Sequence, residues 1–288
     1  MTRKLTIRTK LAATLAVPLA ALAAFAALQV RDAYGTADHV KRQAAVATAA
    51  AGPAGVVNAL MNERDFETLR TLGLDKQAPW LSVRNSRQAE DATDSSISGF
   101  TRLLAEQGRD AAGAYTSALR QLRLKLNGDA GLRAQADDLS RKTSLDNAPR
   151  ASKLYDGYTD LIANLLDANT QASARIDDAR IRTGVELLDS LNRQNDVEAR
   201  IVMETLLAGI SSDPVLALDA QRLAGLESQG NVQLSVRAGE EYAPAINTAL
   251  NAKARKNALA RLNAIATDPI RARRDDVLAL PKDLQLLR

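Results

Sequence analysis

The sequence predicts an all-α protein in which an N-terminal membrane helix is followed by a helical bundle. The chain has 288 residues and is 46% hydrophobic, which is enough to form a sizeable core. Past residue 30, helix-favouring residues such as Ala, Leu, Arg, Gln and Glu dominate, and alternating β-branched runs are scarce. Short connections favour antiparallel neighbours, so we expect an up-and-down bundle, or two bundles that share a long middle helix built around residues 150–209.

The N-terminal membrane helix is predicted from residues 11–30, an uncharged run of 20 residues. At 1.5 Å rise per residue, a helix of this length spans the hydrocarbon core of a bilayer, which is about 30 Å thick. Four basic residues precede the run, namely Arg3, Lys4, Arg8 and Lys10. The positive-inside rule then places the tail, residues 1–10, in the cytoplasm and the body, residues 31–288, outside it.

The alternative to a permanent anchor is a cleavable signal peptide. Ala24-Phe25-Ala26 offers a small-x-small cleavage site. In both cases the body is extracytoplasmic. The anchor interpretation predicts a single-pass protein of the cell membrane.

Helical periodicity is clearest between Asp177 and Gly209, where apolar residues recur at intervals of three and four. This spacing predicts one long amphipathic helix. Pro53, after Gly52, indicates either a kink in a helix that begins near Asp38 or the true start of that helix. Breaks between the other helices are predicted at Gly73 with Pro79, Gly108, Asn127-Gly128, Asn147-Ala148-Pro149, Ser211 to Pro214, Gly230 and Asp268-Pro269.

The composition excludes several kinds of chemistry. Without cysteine there are no thiol nucleophiles, disulfides, iron–sulfur clusters or Cys-ligated zinc, and the single histidine, His39, has no second histidine for a metal site. Gly-rich phosphate loops and Gly-x-Ser-x-Gly motifs are missing. The 38 basic residues are balanced by 34 acidic ones, and the nine aromatics give little surface for base stacking. We therefore predict no enzymatic activity, no cofactor, no metal and no nucleic-acid partner.

Several short motifs occur in a recognisable order. The first soluble helix carries Leu60-Met61-Asn62-Glu63-Arg64, the next helix carries Thr93-Asp94, a later segment runs Tyr155-Asp156-Gly157-Tyr158, and Glu198-Ala199-Arg200 follows. This order resembles the nitrate- and nitrite-sensing (NIT) domain family, whose members are all-helical extracytoplasmic sensor modules behind a membrane helix of bacterial receptors. In that family the Thr-Asp pair heads the second helix and a tyrosine opens the long one.

The resemblance implies that the ligand is nitrate or nitrite and that arginines hold it. The motifs identify Arg64 and Arg200, and by position the later arginines Arg237 and Arg255 are further candidates. A planar guanidinium fork matches a planar oxyanion. On the first helix Arg64 shares a face with Val57, Leu60 and Met61, so it should project into the bundle seam.

An arginine in a bundle seam needs a counter-anion. For Arg64 this is either an internal carboxylate, with Asp94 and Glu204 as candidates, or a ligand anion. Arg200 lies at the edge of its helix's apolar stripe, where it is either a solvated side chain or a ligand contact.

Two functional classes follow from the sequence. The first is an anchored sensor of a small oxyanion, in which ligand binding shifts helices. The second is a non-catalytic helical-bundle interaction protein of the cell envelope with no small ligand. Family members generally continue through a second membrane helix into a signalling domain, whereas this sequence ends at Arg288 without one. The signal output is therefore expected outside this sequence: either the sequence is that of a truncated receptor, or the chain passes the signal to a separate membrane protein. A homodimer is compatible with both classes.

Overall fold

The computed structural model describes residues 39–77, 84–250 and 253–268, together with residues 272, 276–278 and 280. Throughout these residues the regular structure is helical, and no strand is present, which confirms the predicted all-α class. The predicted membrane segment (residues 11–30), the basic tail (residues 1–10) and the Ala24-Phe25-Ala26 cleavage site lie outside the described residues.

The chain divides into two compact units, Met1–Ala45 and Val46–Arg288. In the first unit the described residues, 39–45, are helical. In the second, helical residues 46–51 form α1, and two short 3₁₀ turns occur at Asp75–Gln77 and Leu145–Asn147. The remaining helices are α2 (Pro53–Thr71), α3 (Ser86–Gln107), α4 (Arg109–Ala112), α5 (Thr116–Asn127), α6 (Leu132–Ser140), α7 (Ala148–Ser173), α8 (Ala179–Ser211), α9 (Pro214–Arg237), α10 (Gly239–Leu250) and α11 (Lys253–Thr267).

Helix α2 is the central helix of the second unit and packs against α3, α6, α7 and α8. Its N-terminal half buries Val56, Val57 and Leu60, whereas its C-terminal half buries four charged residues beside Phe66 and Leu69. Pro53 is the first residue of α2, where its missing N–H costs no helical hydrogen bond. The helix ends at Thr71, and Gly73 follows with a φ of 74°, which is accessible to glycine at little cost.

The helical stretch His39–Thr71, which contains α1 and α2, is long and apolar enough to cross a membrane, judged by length and composition alone. The core helix of a soluble protein passes the same test. Two buried charges of α2, Glu63 and Arg64, have ion-pair partners on neighbouring helices of the same unit. We therefore treat α2 as a core helix.

Most of the predicted helix breaks are confirmed. Helices end or begin within two residues of Gly73, Gly108, Gly128, Ala148 and Ser211 to Pro214, and α11 ends at Thr267, before Asp268. The amphipathic helix predicted for Asp177–Gly209 is confirmed as α8 (Ala179–Ser211). Pro79 and Pro269 lie outside the described residues.

Two predictions about helix continuity are wrong. The middle helix expected around residues 150–209 is two helices, α7 and α8, because the Asp178 side chain caps the start of α8 by accepting hydrogen bonds from the Arg180 and Ile181 amides. No break occurs at Gly230, which lies inside α9. A Cβ at that position would collide with the buried Gln194 side chain, so Gly230 permits a close helix contact and does not end the helix.

Candidate functional site

Arg64 lies completely buried where α2, α7 and α8 meet. Its Nε donates to Asp65 Oδ1 at 3.1 Å. Its Nη1 donates to Asp196 Oδ1 on α8 at 2.6 Å and to Thr159 Oγ1 on α7 at 3.1 Å. The guanidinium also lies over the Tyr155 ring, with Cζ 4.3 Å from the ring centroid, a favourable cation–π arrangement. We call these five residues the Arg64 centre.

The second terminal nitrogen of Arg64, Nη2, is buried and has no hydrogen-bond partner, and the same is true of the Tyr155 hydroxyl. Burial raises the pKa of that hydroxyl well above its ordinary value, although the nearby guanidinium opposes the rise. The hydroxyl is therefore protonated and can donate. Buried polar atoms without a partner cost about 1 to 3 kcal/mol each, and an ordered water or ion is a common explanation.

The predicted projection of Arg64 into the helix seam is confirmed, but its carboxylate partners differ from the two that were expected. Asp94 pairs with Arg133 at 3.0 Å, and Glu204 pairs with Arg200 at 3.1 Å. Arg64 pairs with Asp65 and Asp196. One guanidinium thus faces two carboxylates, and the centre carries a formal charge of −1.

Glu63, the neighbour of Arg64 in the motif, forms a second buried ion pair. Its Oε1 accepts from Arg133 Nε at 2.8 Å and from the Tyr158 hydroxyl at 2.9 Å, and its Oε2 accepts from Arg133 Nη2 at 3.0 Å. This two-point contact is the strong form of an arginine–carboxylate pair. It ties α2 to α6, and the Tyr158 hydroxyl adds a contact with α7.

Arg200 is partly exposed on α8 and donates from Nε and Nη2 to Glu204 Oε1, one turn further along. The other Glu204 oxygen is buried without a partner. Burial raises the pKa of the Glu204 carboxyl to about 7, against the opposing effect of Arg200 and with a smaller contribution from Asp219 and Asp156.

Arg237 lies on the rim of a separate cleft of about 730 Å³ between α7, α8 and α9. Its side chain is exposed, and Nη1 donates to Ser190 Oγ at 3.0 Å. Arg193 lines the same cleft and pairs with Asp189 and Asp167. The structure therefore does not bring Arg237 into contact with Arg64. The Arg255 side chain lies outside the described residues.

The two remaining motifs lie inside their helices. The Thr-Asp pair was expected to head its helix, but Thr93 is in the second turn of α3, which begins at Ser86 and is capped by Asn85. Tyr155 is likewise about two turns into α7. Within the described residues, no group of three or more His, Asp and Glu side chains is placed to hold a metal ion.

Sequence reasoning found Arg64 but missed Asp65, Thr159 and Asp196. The spacing of Tyr155 and Thr159, four residues apart on one helix face, was an available signal for α7. For α8, Asp189, Asn192, Asp196 and Ala199 are all buried, and their spacing of three and four could have identified Asp196 as facing inward.

No known protein family, curated protein or solved structure matches this chain.

Proposed function

We propose that this chain is a membrane-anchored extracytoplasmic sensor, built as an antiparallel helical bundle, that binds a small planar oxyanion at the Arg64 centre. The ligand class is nitrate or nitrite. The observation that carries the proposal is the unpartnered Nη2 of a completely buried arginine.

The donor chemistry supports a planar oxyanion. Nη2 has two N–H groups without acceptors, and the protonated Tyr155 hydroxyl is a further donor without an acceptor. A nitrate ion has three acceptor oxygens in one plane, which suits the planar guanidinium better than it suits the point charge of a lysine. Inside a protein such charge-assisted hydrogen bonds are stronger than in water.

The negative charge of the centre points to an exchange of partners. If an anion entered without any other change, the formal charge would move from −1 to −2. Asp196 is the more accessible of the two carboxylates, since its side chain is 12% exposed and that of Asp65 is fully buried. We propose that the ligand displaces Asp196 from Nη1 and that the freed carboxylate turns toward solvent.

This exchange would couple ligand binding to helix position. Asp196 is on α8 and Arg64 is on α2, so the ligand-free state has an ion pair between these helices that the ligand-bound state lacks. A ligand shifts a conformational equilibrium only through such a difference in contacts. The direction of the resulting movement would determine what a partner membrane protein detects.

A second candidate is the interaction protein of the cell envelope, and one observation favours it. Arg133, Arg193 and Arg200 each pair with carboxylates, and Arg237 lies in a different cleft from Arg64. In a sensor whose ligand is held by several arginines, those arginines would converge on one site, and these four do not. The oxyanion proposal therefore depends on the Arg64 centre alone.

Nitrate binding is tested by calorimetry and thermal unfolding of the purified full chain in sodium nitrate, with sodium chloride at equal ionic strength as the control. At a hundredfold excess over the dissociation constant, nitrate should stabilise the fold by about 2.7 kcal/mol. The response should be lost in Arg64→Lys, which keeps the charge but not the fork. It should persist in Arg193→Lys, a matched change at a paired arginine of α8. Equal responses of the two variants would place the binding elsewhere.

Two further variants test the proposed centre without removing Arg64. Tyr155→Phe deletes a buried hydroxyl that has no partner, so in chloride the chain should be as stable as the parent or more so, while nitrate affinity should fall by about 5- to 10-fold. Asp196→Asn removes the competing carboxylate and should raise nitrate affinity at least about tenfold. Should nitrate affinity be unchanged in both variants, Arg64 is a structural ion pair and the interaction protein is the better assignment.

A further inference from the structure

Helix α9 exposes an apolar face on the side opposite its buried one. Ala217, Ala220, Leu223 and Leu234 pack inward. On the outer side Val215, Leu218, Val232 and Val236 are between 63% and 75% exposed, and Leu226 is 44% exposed. Along this outer side the residues recur at intervals of three and four, in the order Val215, Leu218, Arg222, Gly225, Gln229, Val232 and Val236. We call these residues, with Leu226, the α9 face.

The α9 face is self-complementary in one orientation. The midpoint of the face lies between Gly225 and Leu226, and we call it the centre. Reading inward from either end of the helix, two apolar residues are followed by one polar residue and then by the centre. If two copies of α9 lie antiparallel across a twofold axis at this centre, Val215 and Leu218 meet Val236 and Val232 of the partner subunit. The Leu226 side chain then lies over Gly225 of the partner subunit, where there is open space for it. A twofold contact requires such reciprocal matching.

Charge selects the same orientation. Among the residues of α9 that are not buried, the charged ones nearest the centre are Arg222 and Asp219, which pair within one helix at 3.5 Å; Glu227 is buried on the inner side. A parallel pair of helices would place Arg222 against the Arg222 of the partner subunit, and like charges at a helix contact are unfavourable. The antiparallel pair places Arg222 opposite Gln229 of the partner subunit, whose side-chain carbonyl can accept a hydrogen bond.

We propose that the α9 face is a homodimer interface and that a second copy of this chain occupies it in the antiparallel orientation. The face runs for about 32 Å along a helix about 10 Å wide, an apolar patch of about 300 Å² per copy. A standard stable interface buries about 800 Å² per partner. The contact is therefore that of a weak, concentration-dependent dimer, unless flanking residues enlarge it. The proposal is independent of nitrate binding at the Arg64 centre.

Cysteine crosslinking tests the orientation, since the chain has no cysteine of its own. Full-length Leu218→Cys and Val232→Cys are mixed in detergent micelles and mildly oxidised. The mixture should give more disulfide-linked dimer than either variant alone. Leu124→Cys, at an apolar residue of α5 that is 68% exposed, measures random collision. Self-linking of Leu218→Cys as efficient as that of the mixture would show a parallel contact and overturn the proposal.

Sedimentation of the full chain over the micromolar range tests the dimer itself. The parent should shift toward the dimer as its concentration rises, Leu218→Glu should remain monomeric, and Leu124→Glu should behave as the parent does. A parent that stays monomeric throughout would contradict the proposal, as would a dimer that Leu218→Glu leaves intact. The second result would assign dimerisation to another surface and leave the α9 face to a different partner.

Discussion

Replacing Glu63 by leucine is expected to destabilise the fold by about 3 kcal/mol, because the largely buried Arg133 guanidinium would lose its two-point partner and keep only the half-exposed Asp94 carboxylate at 3.0 Å. The Glu63 side chain is completely buried, and that of Arg133 is 11% exposed. The Tyr158 hydroxyl would also lose its acceptor. The measurement is urea-induced unfolding of the full chain at neutral pH, followed by circular dichroism.

Two controls separate the ion pair from simple loss of packing. In the double variant Glu63→Leu with Arg133→Met, the poorly compensated buried charge is gone and the half-exposed Asp94 is solvated, so most of the lost stability should return. Asp167→Ala breaks an exposed arginine–carboxylate pair of similar length, 3.0 Å, and should cost about 1 kcal/mol or less. A double variant no more stable than Glu63→Leu alone would show that Glu63 acts through its shape or through Tyr158.

The all-α class and most helix ends could be predicted from the sequence, because both depend on local signals. Periodicity over a few turns identifies a helix, and Gly, Pro and capping residues mark its limits. The exceptions depend on contacts that are not local. Gly230 resembles a helix end in sequence, and only the side chain of Gln194 on another helix explains why glycine is there.

The candidate site could be predicted as far as the helix face, but not as far as its partners. Arg64 shares a face with Val57, Leu60 and Met61, and this placed it in the seam correctly. Its main partner, Asp196, is 132 residues away in sequence. Which carboxylate meets Arg64 depends on the register of α2 against α8, and a one-turn difference along α8 exchanges Asp196 for Arg200. Helical periodicity does not fix that register.

Glu204 illustrates a property that no sequence pattern reveals. It follows Arg200 by four residues, a spacing typical of a solvated surface pair. The structure instead buries the carboxylate, so that one oxygen pairs with Arg200 and the other has no partner. The sequence spacing alone would suggest a weak surface ion pair, but burial strongly raises the pKa of the Glu204 carboxyl.

The free energy of unfolding should therefore fall as the pH rises from about 4.5 to about 7, and Glu204 should account for about 3 kcal/mol of that fall. Its pKa is about 7 in the fold, against an ordinary value of 4.5. The folded state thus favours the protonated carboxyl. Below pH 4.5 the Glu204 carboxyl is protonated in both the folded and the unfolded protein, and its contribution to stability has its full value. Above pH 7 the carboxyl is ionised in both, and that contribution is lost.

Glu204→Gln keeps the shape of the protonated acid and removes the titration, so comparing it with the parent isolates this one group. Burial also raises the pKa of Asp156, so the free energy of unfolding of the variant should still depend partly on pH. The difference in stability between the variant and the parent should shift by about 3 kcal/mol in favour of the variant between pH 4 and pH 8. Glu186→Gln, an exposed glutamate on the same helix, should parallel the parent. Parallel curves for Glu204→Gln and the parent would mean that Arg200 compensates the buried charge in full. The carboxylate would then be ionised in the fold at pH 6, and the Arg200–Glu204 pair would be a permanent contact of α8.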